Sequence, residues 1–326
     1  MPTLLQSITS LIDNITVTDR QEDNIKGSLS NLESSLKDKE SGLFIDRTFT
    51  TGSYDRDTNI RPLDDIDIFA VLKFDDWKDE YGNLPNPQSV LTKFRTYLNG
   101  LNDYKDKVKQ DRPCVTVKLS DKDFDILPSF AQSGGGYLIP NYDLQSWTHT
   151  YPEQLSKDLD EIHKLRNYRL KPLIKAIKYW NREKNNKIIA SYHIEEIAIS
   201  IFRNRDFVNY EEGIRVWFEH AKYYLSQDKF KSTDDFTVAS SKISKVSGQL
   251  NDANTKYVGG TEGEAIQIWK DVFGREFPTV TIEEAKKVAS ALVAGVLKVG
   301  SNGNLSTTIG QSVTASKGFY GDVLKE

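Results

Sequence analysis

The chain has 326 residues, 38% apolar and 28% charged, a balance that suits a soluble globular protein and excludes a disordered tail. Its net charge of −4 supplies no global positive field for DNA, RNA or anionic lipid, so any grip on phosphate must come from a local basic surface. Cys114 is the one cysteine, which excludes an intrachain disulfide and a cysteine-based zinc cluster and points to a reducing compartment.

The opening MPTLLQSITSLIDNITVTD lacks a basic leader, and Asp13 interrupts its apolar run, so no signal peptide is read there. Over residues 3–39, Leu4, Leu5, Ile8, Leu11 and Ile12, then Ile25, Leu29, Leu32 and Leu36, recur at helical spacing. That pattern predicts a helix broken or kinked near Thr18–Asp19. The polar, turn-rich TFTTGSYDRDTNIRP follows, and DIDIFAVLKF then reads as a buried strand. A helix is expected over Pro87–Leu101, strands over Cys114–Leu119 and Asp123–Leu127, and a hairpin turn at Ser120–Lys122. AQSGGGYLIPN reads as a loop, and TYPEQLSKDL carries a helix-start signal.

From Glu153 onward the pattern is helical, over Leu155–Lys184, His193–Phe202, Tyr210–Ser226, Gly263–Phe273 and Ile282–Leu297. The apolar run Ala289–Val299 is too short to cross a bilayer, and with no leader the chain is expected in the cytoplasm, away from membranes. The last stretch, GSNGNLSTTIGQSVTASKGFYGD, reads as a loosely held, flexible tail, with docking or conjugation to a partner protein as the competing reading. A mixed part (1–155, with the N-terminal helix) followed by a helical part (156–326) predicts an α+β fold of two lobes with a ligand cleft between them.

Alternate side chains of a strand share a face, so Asp65 and Asp67 point the same way at the start of DIDIFAVL. Two ionised carboxylates there repel each other, and a hard divalent cation with oxygen ligands removes that cost. Twelve positions earlier Gly52-Ser53 forms a turn that lets backbone approach a phosphate and adds a hydroxyl donor; no P-loop motif is present. Asp125, between apolar neighbours in FDILP, could complete the metal site or accept the proton of an attacking hydroxyl. Asp123 falls on the same face and is the competing choice. On the helix around LKPLIKAIKYW, Lys171, Lys175 and Lys178 form a basic stripe opposite a core face of Leu173, Ile174, Ile177 and Trp180.

These pieces resemble the DNA polymerase β-like nucleotidyltransferases, whose pattern is a Gly-Ser turn, a D-x-D strand start and a later strand Asp. Longer strings over residues 50–200 (GSYDRDTNIRPLDDIDIFAVL, FDILPSF, GGGYLIPN, LKPLIKAIKYWNREKNNKIIASYHIEE) resemble the bacterial CD-NTases, relatives of cyclic GMP–AMP synthase. The resemblance implies a nucleotidyltransferase core with a C-terminal helical lobe. It implies that Asp65, Asp67 and Asp125 hold Mg²⁺, with Mn²⁺ as an alternative. Gly52, Ser53, Lys178 and Ser191 would contact the triphosphate, with Lys175 as the alternative to Lys178, and Tyr192 would stack on the base. His193 and Glu195 are read as structural. The implied activity joins nucleoside triphosphates (ATP, with GTP or UTP as candidates) into a cyclic second messenger in anti-phage defence. The competing readings are a linear or RNA-tailing transferase, which the acidic charge disfavours, and a catalytically inactive nucleotide- or partner-binding protein.

Overall fold

The computed structural model describes residues 3–63 and 65–278 continuously, then the stretches 290–291, 293–299, 305–308 and 311–312. Two helices open the chain, α1 (Leu4–Ile15) and α2 (Asp19–Leu36). Each starts with a reciprocal capping box, Thr3 with Gln6 and Thr18 with Gln21, which satisfies otherwise orphaned N–H groups. Extended backbone at Thr16 and Thr18 makes a full break, the first of the two alternatives the spacing left open.

β1 (Ile45–Thr51) runs into the one-turn α3 (Gly52–Asp55), and β2 (Asp65–Leu72) follows. The short α4 (Phe74–Trp77) and α5 (Pro87–Gly100) carry the chain to β3 (Val108–Asp111), β4 (Cys114–Lys118) and β5 (Asp123–Ala131). The sheet order is β1-β2-β5-β4-β3, with β2 and β5 parallel and the other pairs on that path antiparallel. One sheet face buries Ile66, Ile68, Phe124 and Ile126 against α5 (Val90, Leu91, Phe94) and α2 (Ile25, Leu32). By alternation, Asp65, Asp67, Phe69 and Val71 point to the other face, where Phe69 stacks on Phe49 and meets the edge of Tyr137.

Three sequence expectations need correction, and one helix was not foreseen. AQSGGGYLIPN is not all loop: Gly135 and Gly136 (φ 91° and 72°) make the turn, and β6 (Tyr137–Pro140) pairs with β5 and with β7 (Trp147–Thr150). Tyr137 belongs to the aromatic cluster, and that burial fixes the strand. The single helix expected over Leu155–Lys184 is two, α6 (Pro152–Leu165) and α7 (Leu170–Asn185). Asn167 and Tyr168 between them both have left-handed backbone (φ 51° and 60°), which a right-handed helix cannot contain. α8 (Ser191–Phe202) and α9 (Tyr210–His220) come next, and a 3₁₀ turn at Ala221–Tyr223 ends α9 before Ser226. α10 (Thr233–Val258) has no counterpart in the sequence reading; its core seam is narrow (Ala239, Ile243, Val246, Leu250, Ala253) in a polar sequence.

With α11 (Glu262–Phe273), the helices share a second core around Trp180, Trp217 and Trp269. Leu4, Ile8 and Leu11 of α1 join this helical core, whereas α2 packs on the sheet, so the N-terminal segment ties the two together. Most of the helix expected over Ile282–Leu297 lies outside the described residues. Of the Gly/Ser/Thr-rich tail, Leu305–Ser306 (β9) and Gln311–Ser312 (β10) flank Lys298–Val299 (β8), which precedes the tail, in a small antiparallel sheet. Among the described residues no helix is long and apolar enough to cross a membrane.

Candidate active site

The starts of β2 and β5 lie side by side, and the parallel register sets Asp67 against Asp125 and Asp65 against Asp123. One carboxylate oxygen from each of Asp65, Asp67 and Asp125 falls within 4.8 Å of the other two. β4 distinguishes Asp125 from its competitor. Thr116, opposite Asp125, donates its hydroxyl to Oδ1 at 2.6 Å. Lys118, opposite Asp123, pairs with that carboxylate at 3.2 Å and keeps it outside the cluster.

Burial first, then the charges of Asp65 and Asp125, push the Asp67 carboxyl up to about 7, while Arg56 and Lys178 pull it down. Ionising all three groups therefore calls for added positive charge. Three convergent carboxylate oxygens are the donor set of a hard divalent cation, so the residues fit such an ion.

The Gly52-Ser53 turn abuts this cluster. Thr51 pairs with Asp67 across β1 and β2, and Gly52 then takes φ +72° to open α3. A Cβ at Gly52 would lie 1.8 Å from Asp67 Oδ2, so glycine is required both for its backbone and for its lack of bulk.

Next to the turn lies a small pocket. Ser53 and Thr58 line it from the sheet side, and Lys178, Arg182, Lys187 and Ser191 line it from the helical side. The described residues of its wall include three cationic side chains and no carboxylate. Ser53, Lys178 and Ser191, distant in sequence, are thus brought together. Tyr192 lies outside that wall, 41% exposed, with Lys229 Nζ 5.1 Å from its ring centre. Lys175 turns to Asp57 at 2.7 Å and Lys171 to Asp160 at 2.7 Å, so neither lines the pocket.

Behind the pocket is a buried network that sequence reasoning missed. Glu195 is fully buried and accepts from Lys178 Nζ at 2.6 Å, Thr58 Oγ1 at 2.5 Å and Arg56 Nε at 2.6 Å. Burial opposes its charge, but Lys178 and Arg56 outweigh that and hold its carboxyl below the usual range. One signal was present in sequence: Glu195 shares a helical face with Ala198, Ile199 and Phe202, all buried, where an unpartnered acid would be costly. His193, by contrast, bonds to Glu196 at 3.0 Å and to the Ser226 N–H at 3.3 Å, a structural role as the sequence reading has it.

Residues 2–162 match the Second Messenger Oligonucleotide or Dinucleotide Synthetase (SMODS) domain. That match makes residues 2–162 of the chain a SMODS domain. The chain is 29% identical over 270 residues to a probable cyclic nucleotide synthase of Bacillus cereus (strain VD146), covering 70% of this chain and 81% of that one. It is 28% identical over 282 residues to the cyclic AMP-AMP-AMP synthase of Acinetobacter sp. (strain ATCC 27244 / 9458), covering 78% and 80%. Its fold is that of CdnC from Escherichia coli MS115-1, solved with ATP, at a TM-score of 0.68 and 17% identity over 84% of this chain and 99% of that one. CdnC has also been solved in a complex with HORMA-deltaN. The α+β architecture with a C-terminal helical region is therefore that of the CD-NTases, as the resemblance implied.

Proposed function

We propose that this chain joins ribonucleoside triphosphates, ATP foremost, into a cyclic di- or trinucleotide second messenger and releases pyrophosphate at each bond. Asp65, Asp67 and Asp125 hold divalent cations, Mg²⁺ in the cell. The bound ions supply charge neutralisation on the donor phosphates and acidify the acceptor hydroxyl. Ser53, Lys178 and Ser191 grip the triphosphate, and Gly52 lets it approach the backbone. Tyr192 offers its exposed ring to a base.

In each transfer an acceptor ribose hydroxyl oxygen attacks the α-phosphorus of the donor. The new P–O bond forms as the bond to the bridging α–β oxygen breaks, and that oxygen's electron pair leaves with pyrophosphate. The hydroxyl proton passes to Asp125, which Thr116 holds in orientation. A final transfer between the ends of the linear product closes the ring.

The observation that supports this reading is the convergence of three sequence-distant carboxylates beside a pocket lined by cations and hydroxyls. Two relatives, one named a cyclic AMP-AMP-AMP synthase, support the cyclic product, and CdnC with ATP supports the substrate class. Incubation with all four ribonucleoside triphosphates and Mg²⁺, followed by mass spectrometry, tests it. The expected result is a phosphatase-resistant cyclic product from the wild type and none from Asp65→Ala/Asp67→Ala. Near-normal turnover by a folded double variant would overturn the reading.

A further inference from the structure

The buried network behind the phosphate pocket joins two parts of the fold through one side chain. Arg56 and Thr58 follow the Gly52-Ser53 turn, Lys178 lies on α7, and Glu195 lies on α8. The Lys178 ammonium has three donors, and two are committed, to Glu195 Oε1 at 2.6 Å and Thr58 Oγ1 at 2.8 Å. The same side chain, with Ser53 and Ser191, lines the pocket. Thr58 is tied to the turn in its own right, its N–H donating to the Ser53 carbonyl at 2.9 Å.

We propose that Glu195 is a positioning residue for triphosphate binding: its buried carboxylate keeps Lys178 charged and aimed into the pocket and, through Thr58 and Arg56, fixes the opposing Gly52-Ser53 turn. The proposal rests on the reading of this pocket as the triphosphate site. The physical need is specific. Lys178 is only 5% exposed, and burial drives a buried ammonium toward its neutral form. Burial, reinforced by Arg56 and Lys175, holds the Lys178 ammonium below the usual lysine range, and Glu195 is the counter-charge that opposes them. Asp67 from β2 also feels Lys178, and Arg182 and Lys187 share the same pocket wall. With Glu195 neutral, the buried Lys178 ammonium would lose the carboxylate that faces it at 2.6 Å.

The test is binding of a non-hydrolysable nucleoside triphosphate analogue with Mg²⁺, followed by calorimetry on the full chain in mildly acid and mildly alkaline buffer. Glu195→Gln should weaken binding roughly ten- to a hundred-fold in alkaline buffer, the worth of a charge-assisted contact. In acid buffer, where Lys178 regains its proton, much of that loss should return. Glu195→Asp, which keeps the charge, should show no such pH dependence beyond that of the wild type. Lys178→Met/Glu195→Gln removes both members of the Lys178–Glu195 contact; it should lose less than the product of the two single losses. A Glu195→Gln loss that is the same at both pH values, or a double variant that multiplies the two single losses, would overturn the positioning role. A wild type that binds no triphosphate would instead overturn the reading of the pocket itself.

Discussion

Gly52→Ala separates the requirements of the fold from those of the site. The added methyl carbon would stand 1.8 Å from Asp67 Oδ2, 2.9 Å from Cγ and 3.3 Å from Cβ. Ordinary contact needs about 3.5 Å, so the carboxylate must retreat by more than an ångström. Because the obstructing atom ends a side chain, the fold can yield by rotating Asp67, and the cost falls on the carboxylate cluster. Backbone strain at φ +72° adds about 1–2 kcal/mol, which lowers the melting temperature by roughly 1–3 °C in a chain of this size. Displacing a catalytic group by about 1 Å can cost 10²-fold in rate, so pyrophosphate release should fall at least about a hundred-fold while the protein stays folded. The control is Gly27→Ala in the middle of α2, where a Cβ meets nothing within 4 Å. It should gain about 0.5–1 kcal/mol and leave turnover unchanged. A Gly52→Ala protein turning over within about threefold of wild type would show that Asp67 does not need its present position, and the carboxylate assignment would fail with it.

Thr116→Val removes the hydroxyl that donates to Asp125, and activity at limiting Mg²⁺ should fall roughly ten- to a hundred-fold, with a Mg²⁺ titration of initial rates showing partial recovery at high concentration. Asp123→Asn breaks a half-exposed pair with Lys118 and should change turnover by less than about twofold, so a large loss in the same rate assay would restore Asp123 as the third carboxylate. In the metal-free protein Asp67 titrates near 7, above the unfolded carboxyl value of 3.8, so the native state binds the extra proton between them and stability falls as pH rises through that window. Thermal melts should show this slope in the metal-free wild type, and neither Asp67→Asn nor Mg²⁺-saturated protein should show it. Divalent-ion affinity should weaken below about neutrality for the same reason, with proton release visible by calorimetry in buffers of different ionisation enthalpy.

Local chemistry made much of this site legible. The D-x-D alternation, the glycine before Ser53 and the hairpin at Ser120–Lys122 are short-range patterns, and each was found where its spacing put it. The choice between Asp125 and Asp123 was also within reach. With the hairpin in hand, antiparallel pairing sets Thr116 against one and Lys118 against the other, and a lysine opposite an acid marks the paired, non-cluster position. Glu195 was not legible as a hub, because its three partners come from segments more than a hundred residues away and from the facing helix. α10 was missed for a different reason. Its seam uses alanines among serines and lysines, a pattern with too little apolar contrast to stand out until Trp217 and Trp269 are known to cover it.

The direction of one strand carries the rest. Asp65 and Asp67 start β2, and Asp123 and Asp125 start β5, so only parallel pairing brings the two starts together. Pairing the same segments antiparallel over the same overlap would set Asp67 opposite Pro128, with Asp125 three residues further along. At about 3.3 Å per residue that is roughly 10 Å away, and the odd offset would turn Asp125 to the opposite face. The chain avoids this by crossing through α5 to the far edge and returning as β3, β4 and β5, so that β5 slots in beside β2 running the same way. That crossover is covered by the apolar face of α5, Val90, Leu91, Phe94 and Leu98. The burial that packs a helix on one side of the sheet is thus what aligns three carboxylates on the other.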